Sequence, residues 1–252
     1  IKHYESFVDA GVSIVESIES LELSKLLENS QRYLNIALMN SAWMYCREKG
    51  IDFNQTLLAA STKWNFISFV PGLVGGHCLG IDTKYFIDSA TNADVPVPLL
   101  EAACVVNDGM VNYLGSMIDE KILEIGRLVD RKPRVMVLGL TYKADVPDTR
   151  NSLAIKLVEC LTAKGGFELV ASDPMLPADS IRELDLPASI ISDFSEHDYI
   201  VQDLIVVLVP HRKVCRILKE YEQSSINANA LCPLIGTFPV ELGFRNEWAI
   251  GS

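Results

Sequence analysis

The sequence predicts an α/β chain in two parts. A helical domain over residues 1–130 precedes a Rossmann-like parallel α/β domain over residues 131–252. Three observations predict it. Apolar residues recur at three- and four-residue spacings through the first half. After Arg131-Lys132-Pro133, short apolar strands alternate with amphipathic stretches. The composition permits a large core, because 49% of the 252 residues are hydrophobic and only 22% are charged.

Leu23, Leu26, Leu27, Leu34, Leu38 and Ala42 place an apolar stripe on a helix from Ser20 to Lys49, which Gly50 ends. A shorter helix is expected from Asn54 to about Lys63. Residues 66–80 are rich in glycine and carry no periodicity, so they read as a loop. Thr83 to Thr91 is helical again, and Leu99 to about Val129 forms a second long helix after Pro96 and Pro98. In the second half, Arg134 to Gly139 is a buried strand. Ser152 can cap a helix that runs to Lys164 and ends at Gly165. Phe167 to Ser172 is the next strand, followed by Asp173-Pro174. Leu204 to Val209 is a third, with a helix from His211 to Glu220 behind it. Strand–helix alternation of this kind implies parallel strands joined by crossover helices.

Composition also excludes function classes. A net charge of −11 disfavours nucleic acid and anionic membranes. The longest apolar run, Leu204 to Pro210, is far too short to insert in a bilayer. The chain opens on Ile1 with no leader pattern, so a fragment or processed product is expected. Six cysteines form no CxxC pair and only four histidines are present, so no metal site is expected. Scattered thiols suggest a reducing, cytoplasmic location, with most cysteines buried as small hydrophobes.

Three segments carry chemistry. In the first, Gly72, Gly75, Gly76 and Gly80 surround Cys78, with His77 beside it and Asp82 four residues later, one turn away if the segment coils. Glycines let a ligand approach the backbone, and a cysteine near an acid or base suits covalent catalysis. A glycine-rich turn around a buried cysteine would look the same. In the second, Lys25, Asn29 and Arg32 share one face of the long helix. Lys and Asn can stabilise an oxyanion, although taken alone a solvated polar face with a Glu28–Arg32 pair is the better fit. The third is the long charged loop after the first strand, from Gly139 through Tyr142, Lys143, Asp148 and Arg150 to Ser152. Ligands bind at the carboxyl ends of such strands, where Lys143 and Arg150 could meet phosphates. No G-x-G-x-x-G occurs, so this α/β domain should not be the main dinucleotide site. Trp43, Met44 and Tyr45 read as packing or a helix–helix interface, Trp64 as core or loop lining, and His211 as a surface residue near the cleft.

Taken together, these motifs resemble the UDP-glucose/GDP-mannose dehydrogenase family. Gly72-Leu-Val-Gly-Gly-His-Cys-Leu-Gly-Ile-Asp82 resembles its catalytic cysteine loop, Lys25 through Asn29 to Asn40 its central helix, and Gly139 through Lys143 to Ser152 the opening of its UDP-binding domain. Thr62-Lys-Trp-Asn65, Pro71-Gly72 and Asn107-Asp-Gly-Met110 look like the branch that oxidises UDP-N-acetylhexosamines, UDP-GlcNAc or UDP-GalNAc. The segments Thr83 to Phe86, Cys104 to Val106 and Leu231 to Gly236 depart from the family pattern.

The resemblance implies a double oxidation of the sugar C6 alcohol by NAD, ending as a uronic acid for surface polysaccharide synthesis. Cys78 would be the nucleophile, Lys25 and Asn29 would stabilise oxyanions, and Asp82 would order or deprotonate water. Tyr142, Lys143, Phe69, Gly72 and Gly75 would contact the UDP-sugar. Lys63 would reach a neighbouring subunit's substrate, and Arg150 the NAD pyrophosphate. The resemblance further implies an NAD-binding domain ahead of this stretch, so the isolated chain is expected to be inactive. A homodimer through the helical domain is expected, with apolar faces exposed around Trp43 and Met44. The competing readings are a non-catalytic UDP-sugar-binding or dimerisation module and, more weakly, a thiol hydrolase using Cys78 and His77.

Overall fold

The computed structural model describes residues 3, 7–9, 11–186, 189–190, 201–226 and 234–237. Cys232 and residues 231–233 of the late segment lie outside them.

The helical part is organised by α1, Ile18–Lys49, whose 32 residues reach about 48 Å at the usual helical rise. Ser17 caps its start by accepting from the Ser20 N–H, and Gly50, at φ 64°, ends it in the left-handed conformation. Asp52 caps α2, Phe53–Ser61, in the same way through the Gln55 N–H. After the glycine-rich loop come α3, Leu79–Asn92, and α4, Pro98–Gly126, which starts on its proline. α1 packs against α3 and α4.

The second part is β1 (Arg134–Leu138), α5 (Leu153–Lys164), β2 (Glu168–Ser172), α6 (Ala178–Arg182), β3 (Ser189–Ile190), β4 (Leu204–Val207), α7 (Arg212–Ile226) and β5 (Leu234–Thr237). Their five strands form one parallel sheet in the order β3-β2-β1-β4-β5. β1 is buried on both faces, as the continuous apolar run demanded. Val135 and Val137 face α4 and α5, in one buried cluster with Met110, Ile118, Leu157 and Leu161. Met136 and Leu138 face α7, against Val214 and Leu218. That larger cluster also holds Trp43 and Phe53, so the helices and the sheet share a core. Strand order reverses between β1 and β4, and the loops after these two strands bound a cleft there.

Several expectations are corrected. The α1 stripe read from leucines is not the buried one, since Leu23, Leu27 and Leu38 are exposed. The buried face runs instead through Tyr33, Ala37, Asn40 and Trp43, because α3 and α4 cover that side. Trp43 is therefore core, set edge-on to Tyr113, and cannot head an exposed patch. Trp64 is 90% exposed and belongs to no core. Of the described cysteines only Cys46 is buried; Cys78 and Cys160 are exposed. Ser152 occupies the N-cap of α5, but its hydroxyl makes no capping bond.

Candidate functional site

Two clusters flank the loop of residues 66–78. The first forms where α3 begins against α1. Cys78 is the N-cap residue of α3 and is exposed. Its carbonyl accepts the Asp82 N–H at 2.8 Å, which sets Asp82 one turn below it. The Asp82 carboxylate is buried, and one oxygen receives both the Asn29 amide at 2.6 Å and the Lys25 ammonium at 2.8 Å. Lys25 and Asn29, one turn apart on α1, are thus drawn to a single acceptor beside the thiol. Hydrogen bonding to Asp82 holds the Lys25 ammonium above its ordinary pKa, and the charges of Asp82 and Cys78 act in the same direction. Arg32, on the predicted face, is exposed and is not part of this cluster.

The second cluster lines a cavity of about 280 Å³ at the reversal of strand order. Gly72, Leu73 and Gly75 form one wall, and Thr141, Tyr142 and Lys143 the other. Pro71 and Leu208 to Pro210 complete it. The glycines serve different ends. A side chain at Gly72 would meet nothing within 4 Å, so its absence leaves the cavity open. At Gly75 a Cβ would lie 2.6 Å from the Asn151 carbonyl oxygen, and at Gly76 2.7 Å from the Tyr142 ring. Gly76 also donates its N–H to Asn151 at 3.2 Å. These two glycines let the cysteine loop dock on the start of α5.

The remaining predicted residues are not gathered at either cluster. Phe69 packs against the main core. Lys63 is exposed beyond α2. Arg150 lies exposed at the loop rim and is held by Asp148, whose carboxyl it lowers to about 2.

Four residues with no predicted role organise the site. Asn40, fully buried on α1, grips both backbone groups of Gly72, accepting its N–H at 2.8 Å and donating to its carbonyl at 3.1 Å. It also donates to Asn107 of α4, whose own amide reaches the Tyr33 carbonyl. Asp173 and His211 are both fully buried behind Thr141. The signal for the asparagines was in the chain, since each interrupts an apolar helix face. Asp173 likewise follows a buried strand directly.

Two protein-family models match the chain. The central domain of the UDP-glucose/GDP-mannose dehydrogenase family matches residues 19–109, and the family's UDP binding domain matches residues 136–232. The chain belongs to the UDP-glucose/GDP-mannose dehydrogenase family. Protein CapL of Staphylococcus aureus is 36% identical over 86% of the chain and 50% of its own length. The UDP-N-acetyl-D-glucosamine 6-dehydrogenase of Pseudomonas aeruginosa is 38% identical over 70% of the chain and 41% of its own length. A solved UDP-D-ManNAc dehydrogenase from Pyrococcus horikoshii superposes with a TM-score of 0.74 at 25% identity, covering 100% of this chain and 57% of that one. The chain spans about half the length of the curated relatives it matches. It comprises the central and C-terminal parts of this family's architecture, a helical domain followed by a Rossmann-like one. No helix among the described residues is long and apolar enough to cross a membrane. No cluster of potential metal ligands occurs among them either.

Proposed function

We propose that the whole protein oxidises the C6 alcohol of a UDP-N-acetylhexosamine to the uronic acid. The single observation that carries this is the exposed Cys78 poised one turn from a carboxylate that gathers Lys25 and Asn29. Units of 1–130 and 131–252 fit this reading, with Cys78 on the first and the UDP-sugar cleft closed by the second. A substrate with UDP-N-acetylglucosamine chemistry is favoured by the P. aeruginosa relative's name.

NAD, when bound, would take the C6 hydride in each of the two oxidations. Arg150 could meet its pyrophosphate, because the guanidinium is exposed, provided Asp148 shares it. The absence of a glycine fingerprint from these 252 residues fits a main NAD site elsewhere in the whole protein. The isolated chain is therefore expected to form no NADH.

After the first oxidation the substrate carbon is an aldehyde. The Cys78 thiolate adds to that carbon, forming a C–S bond, and the carbonyl oxygen becomes an alkoxide. The Lys25 ammonium and the Asn29 amide can stabilise that oxygen, and the second oxidation then leaves a thioester on Cys78. Asp82 accepts a proton from the attacking water, the C–S bond breaks, and the uronate leaves. Tyr142, Lys143, Gly72 and Gly75 would hold the UDP-sugar along the cavity, with Phe69 on the loop that runs beside it, while Lys63 would reach a neighbouring subunit's substrate. The exposed leucines of α1, with Tyr45 beside them, suit a homodimer through the helical part. A sedimenting monomer at micromolar concentration would count against that dimer.

The test uses the whole protein with UDP-N-acetylglucosamine and UDP-N-acetylmannosamine, following NADH and uronate. Cys78→Ala should abolish uronate while leaving UDP-sugar binding intact. Uronate formation undiminished in that variant would overturn the thioester route. Binding without any oxidation by the unmodified whole protein would instead make it a UDP-sugar-binding module.

A further inference from the structure

The loop that presents Tyr142 and Lys143 is held in a strained form by groups that belong to neither cluster. Asp145, a non-glycine residue, sits at φ 60° in the left-handed region. Such a conformation costs about 1–3 kcal/mol and persists only where its surroundings enforce it. Here the start of α7 enforces it. The Asp145 carboxylate accepts the Arg212 N–H at 3.1 Å and the Arg212 side chain at 2.6 Å. In return, His211 Nδ1 accepts the Asp145 N–H at 2.9 Å. The two segments thus cap one another, as Ser and Glu do within a single helix in a capping box.

The tautomer of His211 follows from these contacts. Nδ1 faces a donor, so it carries no hydrogen, and the proton lies on Nε2. Nε2 stands 3.1 Å from both Asp173 Oδ2 and Thr141 Oγ1. The Thr141 hydroxyl donates onward to the Lys143 carbonyl at 3.1 Å, which leaves its oxygen free to accept. Asp173 Oδ2 also accepts the Leu140 and Thr141 N–H groups at 2.6 and 3.0 Å. Burial alone would raise the Asp173 carboxyl pKa, but the donors from His211, Leu140 and Met175 outweigh it and hold it below the usual range. His211 and Asp173 are fully buried and line no part of the cavity, which excludes direct contact with substrate.

We infer that His211 is a positioning residue that fixes the 140–145 loop, and with it Tyr142 and Lys143, in the form that receives the UDP-sugar. The inference rests on the proposed UDP-sugar reading of the cavity. Its test compares three forms of this chain: unmodified, His211→Phe and His211→Asn. Each is titrated calorimetrically with UDP-N-acetylglucosamine, and amide exchange is followed for residues 140–145 against β1 and α5. Phe keeps the ring and loses both hydrogen bonds. Its dissociation constant should rise about tenfold or more, the cost of one or two unmade buried bonds, and exchange at 140–145 should accelerate selectively. Asn keeps an acceptor for the Asp145 N–H and should recover most of the affinity, which a merely space-filling role would not produce.

Affinity within twofold of the unmodified chain in a folded Phe variant would overturn the inference. So would Asn losing as much as Phe. Should Phe not fold, the Asn variant decides: slow loop exchange and near-normal affinity support the role, and fast exchange with normal affinity refutes it. No binding by the unmodified chain would count against the cavity reading instead. Loop exchange in the two variants would then decide whether His211 holds the loop at all.

Discussion

Gly75→Ala is the perturbation whose cost can be worked most directly from the structure. The new Cβ would stand 2.6 Å from the Asn151 carbonyl oxygen, well inside the 3.4 Å at which ordinary contact begins, and 3.3 Å from the Leu153 nitrogen. Both neighbours are backbone, so neither can swing aside as a side chain would. Asn151 itself lies at φ 53° and accepts the Gly76 N–H, so the carbonyl has little freedom. Relief requires the cysteine loop to lift from α5, which costs about 1–3 kcal/mol in overpacking and about 1 kcal/mol for the bond to Gly76. A net loss of about 3 kcal/mol lowers Tm by roughly 6–12 °C in a chain of this size. Gly72→Ala supplies the control. Its Cβ meets nothing, so stability should change by no more than about 0.5 kcal/mol while the added methyl narrows the cavity. The assay is thermal unfolding of both variants, paired with UDP-N-acetylglucosamine titration. A Gly75→Ala chain as stable as the unmodified one, or an equal loss in Gly72→Ala, would refute the docking role.

Three further outcomes are expected. Asp82→Asn should cut uronate formation by the whole protein about 10²–10³-fold, because Lys25 and Asn29 lose their common acceptor, and should let the Lys25 ammonium fall back toward its ordinary pKa; titration of that lysine by NMR checks the second part. Leu157→Ala should cost about 2–5 kcal/mol and lower the unfolding transition seen by Trp43 fluorescence as much as that seen by far-ultraviolet circular dichroism, since both residues belong to one buried cluster; separate transitions would mean that the shared core does not couple the two parts. Asp145, Asp148, Asp173 and Asp203 all have carboxyl pKa values lowered by folding. Their stabilisation is therefore complete above the ordinary value near 4 and is lost as pH falls, for Asp148 through about 2. Denaturant midpoints measured between about pH 5 and 2 should decline steadily, and a midpoint that rises on acidification would contradict the sign.

The sequence was legible where one residue type answers one demand. β1 announced itself because burial on both faces leaves only apolar side chains. Spacing puts Asp82 one turn from Cys78 only if the segment coils, and it does, because α3 begins at Leu79 and not at the expected Thr83. The α1 stripe was misread for the opposite reason. Leucines at helical spacing mark a sticky face without saying what covers it, and α3 and α4 cover the neighbouring face instead, where Asn29, Ser30 and Asn40 lie buried among Tyr33, Ala37 and Trp43. Such polar residues look like solvent contacts in one dimension. Only their partners, Asp82 for Asn29 and Gly72 for Asn40, reveal them as interior. His211 was misplaced on the surface by the same logic, because its acceptors and donors come from segments 38 and 66–70 residues away.

The glycine-rich loop shows why neither part of the chain could position Cys78 alone. From below, Asn40 holds Gly72 by both backbone groups, and Asn107 steadies Asn40. From the sheet side, Asn151 takes the Gly76 N–H, and the Tyr142 ring covers Gly76 closely enough to forbid a side chain. Cys78 lies two residues beyond Gly76, at the N-cap of α3. A displacement of Tyr142 therefore acts on the thiol through Gly76 without touching it. The same ring lines the cavity that would hold the UDP-sugar, so filling that cavity and fixing the Cys78 thiol would be linked through one side chain. By this route the strained loop at Asp145 and its clamp at the buried His211 would bear on the sulfur proposed to react.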